Sequence, residues 1–141
     1  MPSMADAEWR DFLTSQPRTA KLATVRQDGR PHVAPIWFVL DGGEIIFTTG
    51  EDTIKGKAIR RDARVCLCVD DERPPFAFVM IEGTATVSED PEELRDWATR
   101  IGGRYMGEHR AEAYGARNGV PGELLVRVSA THVVARKGIA D

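Results

Sequence analysis

The chain has 141 residues, of which 42% are hydrophobic and 29% are charged, and these values are close to those of an ordinary folded domain. Its formal net charge of -3, with acidic and basic residues mixed along the chain, argues against a nucleic-acid-binding protein. No run approaches the roughly 20 apolar residues that a membrane-spanning helix needs, and the polar N-terminus does not resemble a secretion signal. The two cysteines, Cys66 and Cys68, suit neither a disulfide framework nor a zinc site, so we expect a reducing, cytoplasmic location.

The first half of the chain predicts a short helix followed by three antiparallel strands. Residues 7–13 have helical spacing, and Ser3 is a candidate N-cap. Tight glycine turns at Gly29 and at Gly42 separate the three predicted strands, which span residues 20–26, 32–40 and 44–49. Pro35 cannot donate a ladder hydrogen bond, so the second strand is expected at a sheet edge or to carry a bulge. The pattern predicts a meander in which the second and third strands are neighbours.

The second half predicts two helices and three more strands. The helices cover residues 52–61 and 91–101, and Ser88 or Asp90 can cap the second one. The strands cover residues 64–69, 76–87 and 124–135, and Gly83 predicts a bulge or bend. The glycine-rich segment 102–122 is predicted to be irregular. The whole chain, residues 1–141, is therefore expected to be one mainly β domain with six antiparallel strands in a closed or half-closed barrel.

No hydrolytic motif, metal-ligand cluster or catalytic residue stands out in the sequence. The three histidines, His32, His109 and His132, lie in unrelated contexts and are expected to be surface or structural residues. Cys66 and Cys68 are expected to pack in the core, because small buried thiols usually behave as apolar side chains.

The segment from residue 48 to residue 57 is the best candidate for an anion site. A strand ends in Thr48 and Thr49, passes a glycine turn and opens a helix that carries Thr53, Lys55 and Lys57. Hydroxyl donors, ammonium groups and the free N–H groups of a helix N-terminus together suit a phosphate monoester. The alternative is an ordinary strand-to-helix loop with solvated lysines.

The residues Pro35, Ile36 and Trp37 form a second candidate. A tryptophan on an edge or bulged strand can form the wall of a pocket for a planar ring, and a bulge leaves backbone groups free for a heterocycle. The alternative is an aromatic side chain of the core or of a subunit interface. Because the second and third strands are expected to be neighbours, the ring wall and the anion site should lie side by side.

Several segments resemble the FMN-binding split barrels related to pyridoxamine 5'-phosphate oxidase. Within that superfamily the chain resembles the actinobacterial branch that uses the deazaflavin coenzyme F420. The resemblance runs from about Phe12 to Val134, and it is carried by residues 22–25, 28–38, 45–49, 55–65 and 81–85. It implies a six-stranded antiparallel split β-barrel with a few short helices.

The resemblance also implies which residues bind the cofactor. Thr53 and Lys55 would hold the phosphate with help from Lys57, and Thr48 and Thr49 would line the phosphate and ribityl region. The ring system would lie along Pro35, Ile36 and Trp37. A further hypothesis is that the basic run with Lys57 and Arg60 meets the polyglutamate tail of F420. The cofactor-binding residues expected on this basis are Pro35, Ile36, Trp37, Thr48, Thr49, Thr53, Lys55, Lys57 and Arg60.

The function implied is hydride transfer from reduced F420 to an unsaturated organic acceptor. The alternatives are an FMN-dependent oxidoreductase with the same pocket, or a non-catalytic protein that binds a flavin, a deazaflavin or haem. Oxidation of vitamin B6 is not expected, because the residues before Asp141 offer no equivalent of the substrate-binding segment of pyridoxamine phosphate oxidases.

A homodimer is expected, with the cofactor site at the subunit interface. The aromatic residues Trp37, Phe38, Phe76 and Phe78 exceed what one small core needs, and such surplus surface usually marks an interface. By resemblance, the second subunit would complete the site with its strand around residues 76–79 and its C-terminal part.

Overall fold

The computed structural model describes all residues from Met1 to Asp141, and its strands form one antiparallel sheet. The strand order across the sheet is β2-β1-β5-β6-β7-β4-β3. The seven strands are β1 (Ala20–Val25), β2 (Pro31–Ile36), β3 (Val39–Asp41), β4 (Glu44–Gly50), β5 (Arg64–Asp71), β6 (Ala77–Ser88) and β7 (Glu123–Arg136). The expectation of a mainly β, antiparallel fold is therefore confirmed, with seven strands instead of six.

Four helices and one 3-10 turn (Glu108–Arg110) accompany the sheet. The N-terminal cap of the third helix is Asp90, whose carboxylate accepts a hydrogen bond from the Glu93 backbone at 3.1 Å, as one of the two predicted caps requires. Ser3 does not cap the first helix as predicted, because it forms a β-bridge with Arg136. None of these helices is long and apolar enough to cross a membrane. The helices are α1 (Asp6–Ser15), α2 (Ile54–Arg61), α3 (Pro91–Met106) and α4 (Ala111–Asn118).

The predicted three-strand meander is wrong, because the expected strand 32–40 is two strands at opposite edges of the sheet. β2 pairs only with β1, and β3 pairs only with β4, so β2 and β4 are not hydrogen-bonded neighbours. The chain leaves the ladder at Trp37 and Phe38. The Phe38 N–H donates to the Tyr105 hydroxyl at 3.2 Å, and the Phe38 carbonyl accepts from Arg104. With both backbone groups satisfied by α3, the strand has no need of a ladder partner there. The prediction that Pro35 lies on an edge strand is confirmed.

The segment 102–122 is helical and not irregular as predicted. α3 continues to Met106, and α4 packs against it after the 3-10 turn. Glycines permit this packing: a Cβ at Gly102 would lie 2.4 Å from Tyr114 Cβ, and one at Gly115 would lie 1.9 Å from Thr99 Oγ1. Glycine disfavours helices when it is considered alone, but here it allows two helix backbones to approach closely.

The predicted irregularity at Gly83 is confirmed as a β-bulge between β6 and β7. Glu82 pairs with His132 and Gly83 pairs with Ala130, so the extra residue is Thr131 on β7. This bulge bends the two longest strands of the sheet, a feature typical of barrels.

The larger of two buried clusters lies on one face of the curved sheet, and the smaller one packs α3 against the other face. The larger cluster corrects two expectations. Phe38 is fully buried, so it belongs to the core and not to a surface aromatic patch. Cys66 and Cys68 are only half-buried, because they alternate along β5 with the buried Val65 and Leu67 and so face the other side of the sheet. The prediction that both thiols pack in the core is therefore wrong.

Candidate functional site

The turn between β4 and α2 is held together by the hydroxyl group of Thr53. Thr53 is the N-cap of α2: its Oγ1 accepts from the Gly56 N–H at 3.0 Å and donates to the Gly50 carbonyl at 2.7 Å. Thr49 Oγ1 lies 3.1 Å from Thr53 Oγ1 and must be the donor, since the Thr53 proton is already used. The Thr53 hydroxyl thus has no free hydrogen-bonding capacity, whereas the N–H groups of Ile54 and Lys55 in the first turn have no acceptor within the helix.

We expect Thr53→Val to lower the free energy of unfolding by about 1 kcal/mol, which is the usual effect of losing an N-cap side chain. The variant keeps the β-branched shape but leaves the Gly56 N–H and the Gly50 carbonyl without this partner. Thr53→Ser keeps the hydroxyl and should unfold at nearly the wild-type urea concentration. Equal stability of the Val variant and the wild type would contradict this role of the cap.

Trp37 lies at the break between β2 and β3 and is packed between tyrosines of α3 and α4. Its ring stacks on Tyr105 with centroids 5.0 Å apart and an interplanar angle of 3°, and it meets Tyr114 at 5.9 Å with a tilt of 53°. The Tyr105 hydroxyl donates to the Arg18 carbonyl at 2.7 Å while it accepts from Phe38. Burial raises the pKa of Tyr105, so the group stays a neutral donor over the physiological range. Tyr105 is therefore held in place by its hydrogen bonds and in turn fixes the position of the stacked Trp37 ring.

A cleft of about 430 Å³ brings the two candidate segments together. Of the nine residues expected to bind a cofactor, seven line it, namely Pro35, Ile36, Trp37, Thr48, Thr49, Thr53 and Lys55. The expected juxtaposition of ring wall and anion site is present, although the strand break and not a β2–β4 pairing produces it.

Five further residues complete the cleft; Gly50 lies within the predicted anion segment, and the other four were not predicted. Ala98 and Ile101 come from α3, Asn118 ends α4, and Gly50 and Glu123 come from a paired position of β4 and β7. Four of these five depend on the course of α3 and α4 or on the β4–β7 pairing, and no local motif in the sequence marks those features.

Lys57 and Arg60 do not line the cleft. Both are exposed on α2, and Arg60 forms an ion pair with Glu89 at 3.0 Å. These two side chains could therefore contact only a part of a cofactor that extends beyond the cleft.

The cleft carries one cationic and one anionic side chain, Lys55 and Glu123. Burial raises the pKa of the Glu123 carboxyl group, and the positive charge of Lys55 opposes this effect in part. The uncharged hydroxyl and amide side chains that line the cleft are those of Thr48, Thr49, Thr53 and Asn118. One end of the cleft is thus aromatic and apolar, and the other offers hydroxyl, amide, ammonium and helix N-terminal donors. This arrangement fits a planar ring joined through a polar chain to an anionic group.

A second cleft, of about 560 Å³, lies over β1, β5 and β6 and is lined in part by Val25, Pro31, Cys66 and Gly83. None of the three histidines lines either cleft, and no group of three or more His, Cys, Asp or Glu side chains is placed to hold a metal ion.

Solved structures with the same fold extend over almost the whole chain. Conserved hypothetical protein Rv2991 from Mycobacterium tuberculosis is 29% identical with a TM-score of 0.84, and the match covers 96% of this chain and 86% of that one. A protein named F420 reductase is 27% identical with a TM-score of 0.70, and the match covers 87% of this chain and 94% of that one.

A third similar structure, the haem storage protein HutZ from Vibrio cholerae, is 18% identical with a TM-score of 0.74, over 96% of this chain and 98% of that one. At this identity the likeness concerns the fold alone. A comparison with curated proteins finds no match to the chain.

The fold of these neighbours is the split barrel that the sequence resemblance implied, and that expectation is confirmed. A family model described as pyridoxamine 5'-phosphate oxidase matches residues 5–137, which is nearly the full length of the chain. The chain therefore belongs to the pyridoxamine 5'-phosphate oxidase family.

Proposed function

We propose that the protein is an F420-dependent reductase that transfers hydride from the reduced deazaflavin to an unsaturated organic acceptor. The observation that carries the proposal is the cleft in which Trp37 and the turn at the start of α2 meet. Its aromatic wall and its polar end suit the ring and the phosphate of a flavin-type cofactor. The similarity to a protein named F420 reductase supports the choice of F420 within that class.

Each part of the cleft has a distinct task in this proposal. Trp37 would bind one face or edge of the ring system, backed by Tyr105. Lys55 and the first N–H groups of α2 would bind the phosphate, while Thr53 keeps the turn in shape for them. Thr48 would contact the ribityl chain and phosphate, while Thr49, whose proton is donated to Thr53, would accept a hydrogen bond from a ribityl hydroxyl. When bound, reduced F420 supplies the hydride, so few acidic or basic protein groups are required. The proton for the acceptor would come from solvent or a nearby basic side chain.

If Lys57 and Arg60 contact the polyglutamate tail, the wild-type protein should bind F420 with a shorter tail less tightly than long-tailed F420. The double variant Lys57→Glu, Arg60→Glu should weaken binding of long-tailed F420 by about three- to tenfold, as expected for two exposed ion pairs. Tailless F420, which keeps the phosphate, should bind equally well to both proteins. Unchanged affinity for both ligands would show that this basic run does not contact the tail.

A homodimer with the cofactor at the subunit interface is part of the proposal. Val33 is 66% exposed and Val25 is 47% exposed, and they lie on the adjacent strands β2 and β1. Phe76 is also exposed and lies directly before β6, the strand that is expected to complete the second subunit's site. A second copy would cover these apolar side chains.

Light scattering should give twice the mass of the chain, and a monomer that binds the cofactor at full affinity would contradict this arrangement.

We place this reaction in the cytoplasm, because Cys66 and Cys68 are free thiols and a reducing compartment keeps them so. FMN is the second candidate cofactor, since it also joins a planar ring to a phosphate through a ribityl chain.

The experiment that tests the reaction is steady-state oxidation of reduced F420 with a panel of conjugated acceptors, followed by the return of the absorbance of oxidised F420. Turnover that requires the protein and falls in a Trp37→Ala variant supports the proposal. Tight cofactor binding without turnover of any acceptor would instead indicate a carrier, and a Soret band in the purified protein would indicate a haem-binding protein.

A further inference from the structure

The anionic residue of the cleft, Glu123, lies at the end that would hold the phosphate. Glu123 begins β7 and pairs with Gly50, the last residue of β4, directly before the turn that leads to Lys55. A Cβ at Gly50 would lie 3.1 Å from Glu123 Oε2, so the absence of a side chain at Gly50 leaves room for this carboxylate. Lys55 and Glu123 are the only charged side chains that line the cleft.

The Glu123 carboxylate is not neutralised by a close partner. Lys55 acts on Glu123 through its charge and forms no ion pair with it, and the Glu123 carboxylate accepts no side-chain hydrogen bond. Burial raises the pKa of the carboxyl group, and the charge of Lys55 lowers it by a smaller amount. A phosphate bound at Lys55 would share the cleft with this second acidic group, which repels it when ionised.

We propose that Glu123 makes this cleft select a singly charged phosphodiester over a doubly charged phosphomonoester. The inference rests on the proposed function in that it assumes a cofactor phosphate near Lys55. A phosphomonoester carries about -1.5 to -2 charges at neutral pH, because its second pKa is about 6. A phosphodiester has no second ionisation and carries one charge. The phosphate of F420 is a diester, whereas that of FMN is a monoester.

The size of the effect follows from the extra charge. Lys55 attracts the negative charge of the ligand, and Glu123 repels it. At separations of several ångströms in a partly buried site, removing the charge of Glu123 should raise the affinity for the monoester by about tenfold. The affinity for a neutral ligand should not change. The diester should gain less, about threefold, because the Coulomb repulsion by Glu123 scales with the charge of the ligand and the diester carries about half the charge of the monoester.

The test uses three flavins that share the ring and the ribityl chain and end in groups of increasing charge: riboflavin with a neutral hydroxyl, the monomethyl ester of FMN with a singly charged phosphodiester, and FMN with a phosphomonoester. Their dissociation constants are measured by flavin fluorescence for the wild type and for Glu123→Gln, which keeps the size of the side chain. We expect the variant to bind FMN about tenfold more tightly, the methyl ester about threefold more tightly, and riboflavin as before. Glu92→Gln, an exposed charge change at the start of α3, is the matched control and should alter none of the three.

A second variant, Lys55→Gln, removes the positive charge of the cleft. Lys55→Gln should weaken FMN and its methyl ester but leave riboflavin unchanged. Equal shifts for all three flavins in Glu123→Gln, or no binding of FMN by either form, would overturn the inference. The titration of F420 is separate: failure of F420 to bind would count against the proposed function while the graded response to ligand charge still identified Glu123 as the selective group.

Discussion

We expect Arg104→Met to lower the free energy of unfolding by about 3 kcal/mol, as loss of a buried charged hydrogen-bond donor often does. The guanidinium group of Arg104 donates to three backbone carbonyls, those of Phe38, Leu13 and Gln16. These carbonyls belong to the β2–β3 break and to the end of α1, so one side chain joins both of these segments to α3. Burial lowers the pKa of Arg104, but a guanidinium remains charged at any physiological pH.

Methionine keeps the apolar stem but cannot donate, so Phe38 and Leu13 would hold partly buried carbonyls without a partner. Urea unfolding followed by circular dichroism measures the loss. Arg95→Met, an exposed change on the same helix, is the control and should stay within about 0.5 kcal/mol of the wild type. A loss below about 1 kcal/mol in Arg104→Met would mean that the break is held by other contacts. Arg104 lies over the ring of Tyr105, which stacks on Trp37, so the variant should also show altered tryptophan fluorescence.

We expect Gly56→Ala to destabilise the protein by about 2 kcal/mol. In most helices the same change stabilises, because alanine has the higher helix propensity. Here a Cβ at position 56 would lie 2.2 Å from the Gly50 carbonyl oxygen, a backbone atom that cannot move without opening the turn. Gly56 is also the donor to the Thr53 cap, so the displacement would disturb the first turn of α2.

The same variant should lose at least about tenfold in affinity for the cofactor, since the turn carries Lys55 and the helix N–H groups. Lys57→Ala is a matched control on the same helix, exposed and free of the steric conflict, and should fold as stably as the wild type. A Gly56→Ala variant that is more stable than the wild type would contradict the close approach of α2 to the end of β4.

The strands and α2 could be predicted from local patterns, whereas the pairing of the strands could not. Alternation of apolar and polar residues identified β1, β4, β5, β6 and β7, and Pro35 correctly marked an edge strand. Alternation also continued through Trp37 and Phe38, and so it hid the break. The groups that end the ladder there, Arg104 and Tyr105, are 66 and 67 residues away from Phe38 in sequence. Such a partner leaves no local signal.

The polar end of the site was predictable because one continuous segment forms it. Thr48, Thr49, Thr53 and Lys55 follow each other through a strand end, a turn and a helix start, and they line the cleft together. The charge opposite them was not predictable, because Glu123 reaches Gly50 only through the pairing of β4 with β7. Likewise, the wall formed by α3 depends on glycines that disfavour a helix locally and permit its packing in the fold.

Parallel titrations of the purified protein with oxidised F420 and with FMN, followed by tryptophan fluorescence, test whether the cleft is an F420 site. Trp37 lines the cleft whereas Trp9 and Trp97 are buried elsewhere, so Trp37→Phe should remove most of the ligand-dependent change. We predict low-micromolar binding of F420, much weaker binding of FMN, and loss of F420 affinity in Lys55→Ala. A preference for FMN would contradict the choice of cofactor, and binding of neither ligand would mean that the turn from Thr48 to Lys55 is only a structural turn.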